Sequence, residues 1–362
     1  MGFTKMMSLT ADQFLPLEFV FNPNWWNKNA GIKFDSTFYM DADTREKNDQ
    51  IMRRVLYEKL GNFGFGEKNP QPRPVIGSLF VAGGFIIPAM LGAQIRFSDA
   101  EAPQPLPVTL TKQQIESFSH PDFRETWPMS ELIRSWDAQE NKYGYLVGDL
   151  NTDGLLNAAY HFYGADLFTD LLEEPDRPIR FMQEISDLIV ETASYIQHRT
   201  GSYSISVNRM AAHLNPTPFI HANCSVQMIS PRIYSRCHLA IEQKMAERIQ
   251  PFGIHHCGIQ MERYAAEYAK VPTDFCDVGW GSDPMKCREA LPDSFLNLRL
   301  SPIRMLRNTR EEIIADTEYL LNRVGSLDRV GICCINMDYG TPEENLFAVC
   351  QVVEKYRKLS GK

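Results

Sequence analysis

Strand-like and helix-like runs alternate along most of this chain. Short apolar runs at 75–80, 145–150, 203–207, 219–223, 252–255, 273–278, 295–300 and 330–335 have the length of buried strands. Between them, segments at 178–198, 231–249, 310–324 and 342–356 carry the apolar spacing of helices. Such alternation implies a parallel sheet, and about eight units imply an α/β fold of the (β/α)8 TIM-barrel kind. Residues 1–74 break the rhythm and read as a helical N-terminal extension packed on a barrel of residues 75–362. Within it, 43–60 carries Ile51, Val55, Leu56 and Leu60 at amphipathic-helix spacing. Trp25 and Trp26, set among Asn and Pro, read as an anchor against the core or as a lid over a pocket. The Gly-rich stretch 61–66 lacks the strand-then-helix context of a phosphate loop and reads as a turn.

Composition narrows the class. The chain has 362 residues, 44% hydrophobic and 23% charged, as in an ordinary globular protein of one large or two smaller domains. A net charge of −8, with no Lys/Arg stripe, argues against a nucleic-acid partner. No apolar stretch approaches the ~20 residues of a membrane helix, and the start lacks a secretory core. A cytoplasmic protein is expected. Its eight cysteines all lie from Cys224 onward, and in that compartment they read as free thiols instead of a disulfide framework. Cys237 and Cys350 fall in helical patterns and read as small core residues.

The candidate chemistry gathers where strands end, as barrel active sites do. His255 and Cys257 close one apolar run, and the pair Cys333 and Cys334 lies in another. Imidazole and thiolate are both zinc ligands, and three protein ligands with an open fourth position make a catalytic pattern. Adjacent strand residues face opposite sides, so only one of Cys333 and Cys334 points inward. Asp149, Asn151, His221, Asn223, Cys224, Asp277 and Asn297 also fall at strand ends.

From about Val75 onward the chain resembles the uroporphyrinogen decarboxylase superfamily, and within it the corrinoid-dependent methyltransferases. The resemblance rests on Ile229-Ser230-Pro231, Ile254-His255-His256-Cys257-Gly258, Cys276-Asp277, Asn297 with Ser301-Pro302, and Gly340-Thr341-Pro342-Glu343-Glu344-Asn345. It implies a zinc held by His255, Cys257 and Cys334, with Cys333 as the alternate. The decarboxylase itself is a poor match, because the first strand-end segment, 77–85, holds no basic residue. The aromatic N-terminal segment and that apolar strand end resemble instead the demethylating component (methyltransferase I) of aromatic O-demethylases. A further pattern resembling a metal motif of that component is Glu125, Glu140 and His161. Surface carboxylates plus a capped histidine is the plainer reading of those three.

The resemblance thus implies an enzyme that moves a methyl group from a methoxylated aromatic to the Co(I) corrinoid of a separate protein. No Asp-x-His-x-x-Gly corrinoid signature surrounds any of the eight histidines, so a partner must carry the cofactor. A zinc with two thiolates and one imidazole is a mild Lewis acid, so a proton donor matters. His256, His221 and Asp149 are the candidates, and Asp277 is either catalytic or a support for a zinc-bound histidine. Asn151, Asn223 and Asn297, with Phe80 and Trp280, are expected to contact substrate. A thiol methyltransferase working from methylcobamide is the alternative. A decarboxylase and a non-catalytic partner of a corrinoid protein rank lower. A homo-oligomer is left open.

Overall fold

The computed structural model describes residues 9–77, 84–203 and 209–361. Its centre is a curled, six-stranded parallel sheet. The strands are β1 (Leu17–Phe21), β2 (Phe219–Asn223), β3 (Phe252–His256), β4 (Phe275–Val278), β5 (Phe295–Arg299) and β6 (Val330–Met337), hydrogen-bonded in the order β1-β6-β5-β4-β3-β2. On the open side a parallel bridge joins Val75 to Val147. The expected runs at 75–80 and 145–150 contribute this bridge. Residues 78–80, Phe80 among them, and 204–207 lie outside the described residues.

β1 corrects the expected boundary. Residues 17–21, read as extension, pair in parallel with β6, Leu17 opposite Ile332 and Phe19 opposite Cys334. Residues 17–21 therefore belong to the sheet. Trp25 and Trp26 follow it on a short helix, Pro23–Ala30, with 2% and 0% of their surface exposed. The Trp25 ring stacks 3.9 Å from Phe21, which makes the pair an anchor. The expected helix at 43–60 is Ala42–Leu60, capped by the Asp41 carboxylate.

Side chains alternate across each strand, and the alternation sorts them between two cores. Val20, Ile220, Phe275, Phe295, Cys333 and Ile335 join Met210 in a plug inside the barrel. Phe19, Phe219, Phe252, Ile254, Cys276, Leu296, Leu298, Ile332 and Cys334 face outward into the larger core beneath the helices. The Phe275 and Phe295 rings stack 5.8 Å apart, and burial of each contributes about 1.5–3 kcal/mol. Gly253 and Gly331 make room for the plug. A Cβ on Gly253 would come 3.0 Å from Phe275, and one on Gly331 would come 3.0 Å from Met210.

The helices outside are α1 (Asp176–Thr200), α2 (Pro231–Cys237), α3 (Leu239–Arg248), α4 (Arg310–Arg323) and α5 (Glu343–Leu359). They match the expected helices, except that 231–249 is broken at His238. Ser230 caps α2 through the Ile233 amide with Pro231 in its first turn, and a Thr309/Glu312 capping box opens α4. No helix among the described residues is long and apolar enough to cross a membrane.

Candidate metal centre

The register of the sheet lines up a row of polar side chains inside the barrel. His255 on β3 lies opposite Asp277 on β4, and Asp277 opposite Asn297 on β5. His255 Nδ1 donates to Asp277 Oδ2 at 2.6 Å, and Asn297 Nδ2 donates to Asp277 Oδ1 at 2.6 Å. With its Nδ1 proton committed, His255 presents a bare Nε2, buried and without a hydrogen-bond partner. Just past the strand ends come Cys257, after β3, and Cys224, after β2. The donor atoms of Cys224, His255 and Cys257 all lie within 4.8 Å of one another. Both cysteines are half-buried, so the cluster opens toward the mouth while His255 seals its floor.

Its electrostatics favour a thiolate at one position. The hydrogen bond between the two sulfurs pulls the Cys257 pKa down and pushes that of Cys224 up, with His255 and Arg299 adding to the stabilisation of the Cys257 thiolate. Burial works against charge on His255, but Asp277 and the Cys257 sulfur outweigh it and raise its pKa. The donor set fits zinc: two sulfurs and a second-sphere-oriented imidazole leave one position for an outside ligand.

Cys333 and Cys334 do not join this group. Cys333 belongs to the inner plug and Cys334 to the outer core, so the expected inward residue is the wrong one of the pair. The Cys334 sulfur lies 3.7 Å from the Leu300 carbonyl, and burial pushes its pKa up to about 12. Spacing along the chain carries no information about which face a strand residue takes. Cys333 sits 3.0 Å from Asn297 Nδ2. Arg299, its register partner, reaches toward the cluster and donates from Nη1 to the carbonyls of His256 and Cys257, at 3.3 Å each.

Other expected site residues are placed elsewhere or used otherwise. His221, Asn223 and His256 alternate outward, away from His255. His221 accepts the Leu155 amide on Nε2 at 3.1 Å, which puts its proton on Nδ1, where it binds Glu242. Asn223 Nδ2 and the Tyr234 hydroxyl also donate to Glu242. Burial opposes the Glu242 charge, but bonds from His221 and His238 hold its pKa down. This network ties β2 to α2 and α3. His256 meets the Tyr268 hydroxyl at 2.9 Å, and burial lowers its pKa to about 4, so it is neutral and no proton donor at the mouth. Asp149 is buried against Arg209 and Ser202; burial raises its pKa and Arg209 opposes that. Asn151 accepts the Asp153 amide and shapes the loop there. Asn297 orients Asp277, and Trp280 is half-buried on the loop after β4.

Glu125, Glu140 and His161 do not converge. Glu125 is exposed, Glu140 binds Arg199 at 2.9 Å, and His161 Nε2 lies 3.0 Å from the Leu106 carbonyl. Two residues of the site went without a role in the sequence: Cys224, visible only as a thiol at a strand end, and Arg299, the one charge in an otherwise apolar run.

No family model matches this chain, and no curated protein matches its sequence. Solved structures do match. A B12-independent methionine synthase from Shewanella sp. W3-18-1, in complex with selenomethionine, gives a TM-score of 0.48 at 10% identity over 97% of this chain and 100% of that one, too distant to bear on the argument. A methyltransferase from Methanosarcina mazei gives a TM-score of 0.66 at 14% identity, over 95% of this chain and 94% of that one. That likeness is one of fold, and it identifies the half-barrel of parallel strands as a TIM-barrel architecture shared from end to end with a methyltransferase.

Proposed function

We propose that this chain is a cytoplasmic, metal-dependent methyltransferase of the corrinoid-using branch of the uroporphyrinogen decarboxylase superfamily. In this reading it removes the methyl group of a methoxylated aromatic and passes it to the Co(I) corrinoid of a separate protein docked at the barrel mouth. The observation that carries the proposal is the gathering of Cys224, His255 and Cys257 at the strand ends, with Asp277 leaving His255 Nε2 bare. The fold shared with a methyltransferase is consistent with it.

When bound, zinc would supply Lewis acidity toward the ether oxygen as the carbon–oxygen bond breaks. The remaining work falls to the chain. Asp277 holds the His255 tautomer, and Asn297 holds Asp277. The Cys224 thiol gives up its proton so that both sulfurs can act as ligands. Arg299, 2% exposed, fixes the turn after β3 by binding the His256 and Cys257 carbonyls.

The test mixes purified protein, Co(I) corrinoid and a methoxylated phenol, and follows the methyl-Co(III) spectrum alongside zinc content. Methylation should depend on ether and metal, and C257A or H255A should abolish it while the fold survives. Turnover in either variant would sink the proposal. Loss of methylcobalamin on adding a thiol, with no reaction from ethers, would instead reverse the direction to thiol methylation.

A further inference from the structure

Resting on that methyl-transfer reading, we infer that Arg299 is the anion-recognising residue of the site. The substrate it selects is one whose demethylated form is an oxyanion, a phenolate. Arg299 ends β5 on the same inward face as Asn297, with 2% of its surface exposed. A buried guanidinium needs its charge and its five donors answered. Among the described residues, Nη1 meets two backbone carbonyls and the guanidinium also meets the Cys257 side chain, while Nε is buried without a hydrogen-bond partner. Among the described residues no carboxylate forms an ion pair with it. Asp277 is nearby, but its oxygens already hold His255 and Asn297.

The turn whose carbonyls it binds carries Cys257, a member of the metal cluster, so the guanidinium lies beside that cluster. A metal bound there would use the Cys257 sulfur as a ligand, and the Arg299 Nε would still lack a partner. An anion arriving at the open position would then meet both the metal and Arg299. The methyl ether is uncharged, whereas the phenolate it becomes carries a full negative charge. Arg299 therefore binds the demethylated species better than the methylated one and favours departure of the phenolate. The segment 77–85 holds no basic residue, and Arg299 supplies one from β5.

The probe is 4-nitrophenol, whose yellow anion reports its own ionisation, with 4-nitroanisole as its uncharged methyl ether. Both are titrated into zinc-loaded protein. Wild type should bind nitrophenol as the anion, shifting its ionisation to lower pH, and should prefer it to the ether. R299Q should weaken the anion roughly tenfold or more, the scale of a hydrogen bond to a charged group, while the ether binds as before. R299K, which keeps the charge and loses the fork, should recover part of the preference and shows that the Gln variant's loss is not one of folding. An unshifted ionisation in wild type, or an R299Q protein of full zinc content with undiminished preference, would overturn the inference. The readout needs no methyl transfer, so this result and that of the Co(I) assay can fail independently.

Discussion

At the scale of single residues, the site depends on which proton each group keeps. Asp277 accepts the Nδ1 proton of His255 and so makes Nε2 the ligand atom. D277N should therefore bind zinc roughly 10–100-fold more weakly without losing any ligand, as second-sphere changes do. Competition against a chromophoric chelator measures this, and an unchanged affinity would mean His255 is not a ligand. The two cysteine positions separate just as cleanly. C224A should lose zinc, whereas C334A should keep it, because Cys334 lies in the outer core. The His-x-Cys pair was legible as a candidate ligand pair from its chemistry at a strand end. The third position was not, because it is set by which strands become neighbours and which face each residue takes. Cys224 comes into reach because β2 pairs with β3, a fact of topology that no local pattern records.

At the scale of elements, five of the six sheet strands lie where apolar runs predict them, because a strand buried on both faces must be apolar throughout. Of the polar exceptions inside the runs, His255, Asp277, Asn297 and Arg299 face inward at the site, whereas His221 and Asn223 face outward to Glu242. The helix break at His238 had no signal in spacing, since α2 and α3 carry similar apolar faces on either side of it. One contact between elements yields a pH prediction. His213, just before the short strand Leu214–Asn215, binds Asp12 at 2.9 Å and Glu18 of β1 at 3.1 Å. Burial would lower its pKa, but Glu18 and Asp12 prevail and raise it from 6.5 to about 9. A raised folded-state pKa means the protonated histidine stabilises the fold fully below about 6.5, and that stability is lost as pH rises through about 9. Melting temperature should fall across that window in wild type more steeply than in H213Q. Parallel curves would show that the contact contributes nothing.

At the scale of the whole molecule, the sheet joins the start of the chain to its end. Residues 17–21 are flanked by Pro16 and Pro23 and lie apart from the strand–helix alternation that begins near 75, and their partner β6 is nearly the whole chain away. That is why the N-terminal segment reads as something added to the barrel. The structure makes a different prediction about its removal. Deleting residues 1–40 would strip β1 from β6 and leave a row of unpaired backbone groups along a buried edge. It would also remove Trp25 and Trp26, and truncating one buried Trp alone costs about 3–5 kcal/mol. Losses of that size compare with the whole stability of a typical protein, about 5–15 kcal/mol. The truncated chain should lack a cooperative thermal transition and expose apolar surface to a hydrophobic dye, with W26A falling between it and wild type. A truncated protein that melts cooperatively near the wild-type temperature would mean that β1 only leans on a barrel complete without it. Zinc binding extends the same comparison from fold to site. β6 carries Cys333, which touches Asn297, which in turn holds Asp277 against His255. Loss of β1 should therefore loosen the candidate metal site through that chain of contacts, although no described residue of the N-terminal segment belongs to it.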